Sequence, residues 1–189
     1  MRTIEMKGKM LLMVILLGMQ FTACKKDDKE TVSNPPPVEE QELITTFSIT
    51  FTDSSGVNPT VVATFRDLDG AGGNAPVSFD TIRLKPGAQY FGQVQVLNES
   101  VTPAINLTDE ILSEAADHLF CYTVNTANAT VEITDSLNGL PIGLQTKWTT
   151  GALSSGSVLI RLKHQPGIKD GTCDIGETDI ELNFTLYVE

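Results

Sequence analysis

From Leu43 onward, apolar and polar residues alternate with a period of two, the pattern of strands that bury one face and wet the other. Phe47, Ile49 and Phe51 alternate with Ser48, Thr50 and Thr52 until Asp53-Ser54-Ser55-Gly56 ends the run; Val61, Ala63 and Phe65 follow and stop at Asp67. Ile82 and Leu84 precede Pro86-Gly87, and Tyr90, Val94 and Val96 share a face beyond it, so the two runs predict a hairpin. The period changes once. Thr108-Asp109-Glu110 followed by Ile111, Leu112, Ala115, Ala116 and Leu119 predicts a helix capped by Thr108, with its acids at the positive end of the helix dipole. Strand periodicity then resumes in Phe120, Tyr122 and Val124, in Val131 and Ile133, and in Leu144, Thr146 and Trp148. It continues in Val158, Ile160 and Leu162, and in Ile180, Leu182, Phe184, Leu186 and Val188. About nine short strands, one crossover helix and no βαβ rhythm predict an all-β, Ig-like antiparallel β-sandwich over residues 43–189.

The first 42 residues follow another rule. Arg2, Lys7 and Lys9 precede Met10–Met19, an apolar run half as long as the about 20 residues a spanning helix needs, and Phe21-Thr22-Ala23-Cys24 then reads as a lipobox. A small residue before Cys24 suits a peptidase that admits small side chains, and the Cys24 thiol is the nucleophile on which lipid is built. Residues 1–23 are therefore expected to be a lipoprotein signal peptide. Residues 24–42, charged at first and carrying Pro35 to Pro37, are expected to be a tether with nothing to bury. Within it Lys26-Asp27-Asp28 matches a Lys-acid-acid signal for export to the outer face of a bacterial outer membrane; the periplasmic face is the alternative.

Charge narrows the partners. Three of thirteen basic residues and one of twenty-four acidic residues precede Cys24, so the 166 residues that remain after removal of 23 from 189 carry −13. That sign excludes nucleic acid, which is held through phosphate neutralisation by Lys and Arg, and leaves membrane anchoring to the lipid. Cations, neutral glycans and other proteins remain.

Candidate chemistry is sparse. Cys121 and Cys173 form an even pair once Cys24 is lipidated, and in an oxidising compartment they are disulfide candidates; such a bridge contributes roughly 3 to 4 kcal/mol in the chain-entropy model. Asp67-Leu68-Asp69-Gly70 has acids at alternate positions before glycines, as a Ca²⁺ loop does, but Ala71 and Ser78 break the EF-hand pattern. His118, His164 and Glu177 are candidate transition-metal ligands, with Cys121 and Cys173 as the thiolate version. The competing reading is ordinary turn and core chemistry at each position. No nucleophile elbow, phosphate loop or zinc-protease motif is present, so the expectation is no enzyme, no catalytic residue and no required cofactor.

The phrases Glu42-Leu43-Ile44-Thr45-Thr46, Asp67 to Gly73, Ala116-Asp117-His118-Leu119-Phe120, Asn138-Gly139-Leu140-Pro141-Ile142-Gly143-Leu144 and Gly176-Glu177-Thr178-Asp179-Ile180-Glu181 occur in an order that resembles a group of β-rich Bacteroidota-type lipoproteins. These are often described as type 1 periplasmic binding fold superfamily proteins. The resemblance covers residues 42–189 and implies association with TonB-dependent outer-membrane receptors and metal or nutrient capture. The His-rich tether of such relatives is missing here, where Glu39, Glu40 and Glu42 stand without a histidine. The fold their description implies, two doubly wound α/β lobes, also conflicts with a chain that offers one helix. Taken together, the expectation is an outer-membrane, surface-facing lipoprotein that acts as a binding module for a receptor or envelope protein. A metal-binding module and a structural or adhesion protein are the alternatives.

Overall fold

A computed structural model describes residues 43–70 and 72–189. The signal peptide, Cys24, Lys26, Asp27, Asp28 and the tether lie outside the described residues.

The larger sheet is built from β1 (Thr46–Asp53), β2 (Val61–Arg66), β3 (Ser78–Phe79), β5 (Gln89–Asn98), β6 (Ile105–Asn106), β8 (Ala129–Ile133) and β11 (Gln145–Thr150), in the order β3-β2-β1-β5-β11-β8 with β6 on β5. The smaller one contains β4 (Ile82–Leu84), β7 (His118–Asn125), β12 (Ser154–His164) and β13 (Glu177–Val188), in the order β4-β13-β12-β7. A two-stranded ribbon, β9 (Ser136–Leu137) with β10 (Leu140–Pro141), and one helix, α1 (Leu107–Ser113), complete the all-β sandwich.

The period-two apolar positions become its filling. Phe47, Ile49, Phe51, Tyr90, Val96 and Trp148 from the larger sheet are buried against Phe120, Val158, Ile160, Phe184 and Leu186 from the smaller. Phe47 meets Phe120 and Phe184 across the gap, each at 5.9 Å between ring centroids, and Tyr122 meets Trp148 edge-on at 6.1 Å. Tyr122 is partly buried, and desolvation of its phenol pushes it well above the ordinary range; Asp135 adds to the effect. The neutral hydroxyl donates to the Gly143 carbonyl at 2.6 Å.

Several sequence expectations are corrected. Ile82–Leu84 and Tyr90–Val96 do not form a hairpin: β4 pairs in parallel with β13 while β5 lies between β1 and β11 in the other sheet. Pro86-Gly87 is a crossover between layers, possible because Ile82 and Leu84 face the same core from the opposite side. That pair is also the parallel exception among antiparallel ladders. Among the described residues the strands number thirteen rather than about nine, the surplus being pieces of two or three residues. The helix stops at Ser113, and Leu119 already belongs to β7. Its cap is Asn106, whose side chain accepts from the Thr108 backbone N–H at 3.2 Å. Thr108 is used elsewhere: its hydroxyl accepts from Val96 N–H at 2.8 Å, tying the helix to β5 where β11 has ended.

Candidate functional site

The end of the smaller sheet gathers most of the residues singled out from the sequence. His118, His164 and Glu177 are register partners along one row of β7, β12 and β13. The two imidazoles stack in near-parallel planes, 4.7 Å between centroids and 9° apart. Ring faces, rather than nitrogens, are therefore apposed. His118 is buried, with Nδ1 3.3 Å from the Glu114 carbonyl oxygen and 3.9 Å from the Glu114 carboxylate. Asp179 sits at the register shift opposite Leu162 and Lys163; burial raises its pKa, and the nearby His164 and His118 oppose that shift. Among the described residues no group of three or more His, Cys, Asp or Glu side chains is arranged to hold a metal ion.

Cys121 and Cys173 are joined in a disulfide. Their thiolates are thus not available as ligands, which removes the thiolate version of the metal site. The bond fastens the 165–176 segment over the outside of β7. Gln165 reinforces it by donating from Nε2 to the Thr172 and Ile175 carbonyls at 2.8 and 3.0 Å. Lys169 reaches across to the Ala115 and His118 carbonyls at 2.7 and 2.6 Å, and its burial lowers the ammonium pKa against the pull of Asp117 and Asp135. This cover explains why His118, Leu119, Phe120 and Cys121 are all buried, a continuous run where a one-sided strand would alternate.

Asp67 and Asp69 are brought together in a different role from chelation by open carboxylates. Burial raises the pKa of Asp67, and a hydrogen bond with the Asp69 carboxylate raises it further. Asp69 is held low first by the Asn74 backbone N–H at 2.9 Å and then by the Asn74 amide at 2.6 Å. The two acids act on each other, and Asp69 closes its own turn through Asn74. Among the described residues Asp67 Oδ1 has no hydrogen-bond partner.

On the solvent face of the larger sheet lies a groove of about 360 Å³. Thr50 from β1 and Gln93 and Gln95 from β5 form its floor; Asn106, Thr108 and Asp109 at the start of α1 form its wall. The wall is fixed by the helix cap, since Asn106 Nδ2 also donates to Asp109 Oδ2 at 2.8 Å. The floor follows from strand alternation, which turns Val94 and Val96 inward and Gln93 and Gln95 outward. Gln93 pairs across the sheet with Thr50 on one side and Gln145 on the other. Two residues along β5, Phe91 is 55% exposed between Thr52 and Lys147. Lys147 is itself paired with Glu132 at 2.5 Å.

No family model, curated protein or solved structure matches this chain. What can be said of its chemistry comes from its own residues. Sequence reasoning passed over the groove, because Gln93 and Gln95 register only as the polar half of an alternating strand. The one available signal was the run Gln89, Phe91, Gln93, Gln95, which sets an aromatic residue among amides on a face expected to be wet.

Proposed function

We propose that this chain is a lipid-anchored protein of a bacterial outer membrane, facing the exterior, and that its sandwich is a non-enzymatic binding module. The anchoring reading rests on the lipobox at Cys24 and the Lys26-Asp27-Asp28 signal; a cross-linked Cys121 and Cys173 are in keeping with an oxidising compartment. The observation that carries the binding reading is the groove. A rigid sheet presents hydroxyl and amide side chains at its floor, and a capped helix supplies a wall whose own polar groups are already ordered. The partner best suited to the resemblance is an outer-membrane uptake receptor of the TonB-dependent kind, to which the module would serve as an accessory.

Protease shaving of intact cells tests this, comparing wild type with Cys24→Ala and with Lys26, Asp27 and Asp28 replaced by Ala. The wild type is expected in the membrane fraction and digested from outside. The triple variant should be membrane-bound but protected, and Cys24→Ala should be released from the membrane. A wild type recovered free of membrane would overturn the anchor, and one protected in intact cells would overturn the surface orientation.

The single cross-strand row of His118, His164 and Glu177 favours a second reading, metal handling. Melting of the full-length protein in detergent, after chelation and then with Ca²⁺, Zn²⁺, Cu²⁺ or Fe²⁺ restored singly, separates the two. A rise with one ion that disappears in His164→Ala would favour capture, and unchanged melting with every ion would sink it.

A further inference from the structure

We infer that the groove between β5 and the start of α1 binds a neutral oligosaccharide, with Phe91 as an apolar platform beside it. The inference rests on the reading of the domain as a binding module and names the class of ligand.

The lining selects by charge first. Among the described residues no Lys or Arg side chain lines the groove, and Asp109, its one acid, already accepts from Asn106. An anionic ligand would find no cation there and would meet a chain of net charge −11. A metal ion would find a single carboxylate, too few for a hard cation that gathers six to eight oxygens.

What remains is uncharged and two-faced. Each of Gln93 and Gln95 offers both an amide N–H₂ and a carbonyl oxygen, and Thr50 offers a hydroxyl that donates and accepts. Among the described residues none of these three side chains makes a hydrogen bond to the protein, so their capacity is turned to the groove. A sugar hydroxyl likewise donates and accepts at once, so adjacent amides and hydroxyls on a fixed floor can satisfy a row of them. The volume falls in the range of small-ligand clefts, about 300 to 1,000 Å³.

A peptide is the other uncharged candidate, and the backbone disfavours it. Peptides that add to sheets use an open strand edge. Along this stretch β5 already has β1 on one side and β11, then Thr108 of α1, on the other. A ligand here must be read by side chains alone, from above the sheet. Phe91 suits that geometry, because its exposed ring stands on the same face and can take the C–H face of a pyranose.

The test is native affinity electrophoresis of the full-length protein in lauryldimethylamine oxide, a detergent without a sugar headgroup. The gels contain dextran, galactomannan, xyloglucan or galactan, with heparin and polygalacturonate as charged controls. Retardation by at least one neutral polysaccharide and by neither charged one is expected. The double variant Gln93→Ala/Gln95→Ala should raise the dissociation constant at least tenfold, and Phe91→Ala should raise it several-fold, with the melting temperature of both unchanged. Absence of retardation by all four neutral polymers overturns the inference. So does retardation that the variants leave intact, or that heparin matches. If no polysaccharide binds but cross-linking in cells captures an envelope protein and Gln93→Arg abolishes that capture, the binding-module reading stands and the oligosaccharide falls. Loss of both signals removes the two together.

Discussion

Gly92 on β5 and Trp148 on β11 approach so closely that no side chain fits between them. A Cβ on Gly92 would stand 2.9 Å from Trp148 Nε1 and closer still to the Thr146 hydroxyl, which accepts from that same indole N–H at 2.8 Å. The indole, fully buried, meets Phe51 at right angles 5.1 Å away and so fixes the middle of the core. Gly92→Ala is therefore expected to destabilise the fold by about 1 to 3 kcal/mol through overpacking. Urea unfolding followed by tryptophan fluorescence checks it, since the chain has one tryptophan. A midpoint equal to wild type would show that the sheet yields at this point.

The disulfide joins Cys121 to Cys173 across a sequence separation of 52. Cys121→Ser/Cys173→Ser is expected to lose roughly 3 to 4 kcal/mol relative to the oxidised wild type. Reducing agent should bring the wild type down to the level of the double variant and leave the variant where it was.

Asp53 predicts an acid limb. It is buried, and its carboxylate accepts from the Ser55 hydroxyl at 2.6 Å, from the Asn58 backbone N–H at 2.9 Å and from Val57 N–H at 3.1 Å. These bonds, led by Ser55, pull its pKa from 3.8 down to about 2. Because the folded value lies below the unfolded one, the stabilisation is complete above pH 4 and is lost as pH falls from about 4 to about 2. Asp53→Asn should lower the melting temperature at pH 7 and flatten its decline across that window. A wild type and variant with parallel pH profiles would refute this.

Much of the sandwich was legible because one physical rule, one face in and one face out, governs Phe47-Ile49-Phe51 and Leu182-Phe184-Leu186 alike. The rule fails where both faces are covered. Leu119 reads as the end of a helix because the 165–176 segment buries the side of β7 that would otherwise be polar, so that Leu119 and Phe120 are both apolar and the alternation is lost. Alternation also says which residues face the core but not from which sheet, which is why Ile82 and Leu84 were placed in a hairpin with the strand they leave. Of the sites, the row of His118, His164 and Glu177 was approachable as a set of ligand-type residues. The carboxyl pair Asp67 and Asp69 was legible as a loop, but its shared hydrogen bond depends on burial that spacing does not encode.

The helix start offers a sharp discrimination. Asn106→Ala removes the cap and is expected to cost about 1 kcal/mol. Thr108→Val leaves that cap intact but deletes the acceptor for Val96 N–H, a partly buried bond, and should cost at least as much. Circular dichroism melts of both variants check the order. A harmless Thr108→Val together with a costly Asn106→Ala would mean that the helix is held by its cap alone.

The crossover at Pro86-Gly87 has a wider consequence. The chain changes sheet between β3 and β4, again between β4 and β5, between α1 and β7, between β7 and β8, and finally between β11 and β12. Neither sheet is a continuous stretch of sequence, so no fragment contains one sheet whole without strands of the other. A protease that nicks the turn at Pro86-Gly87 would leave two pieces each holding strands of both layers, interleaved like the halves of a zip. They should travel together on a sizing column and come apart only when the whole core melts.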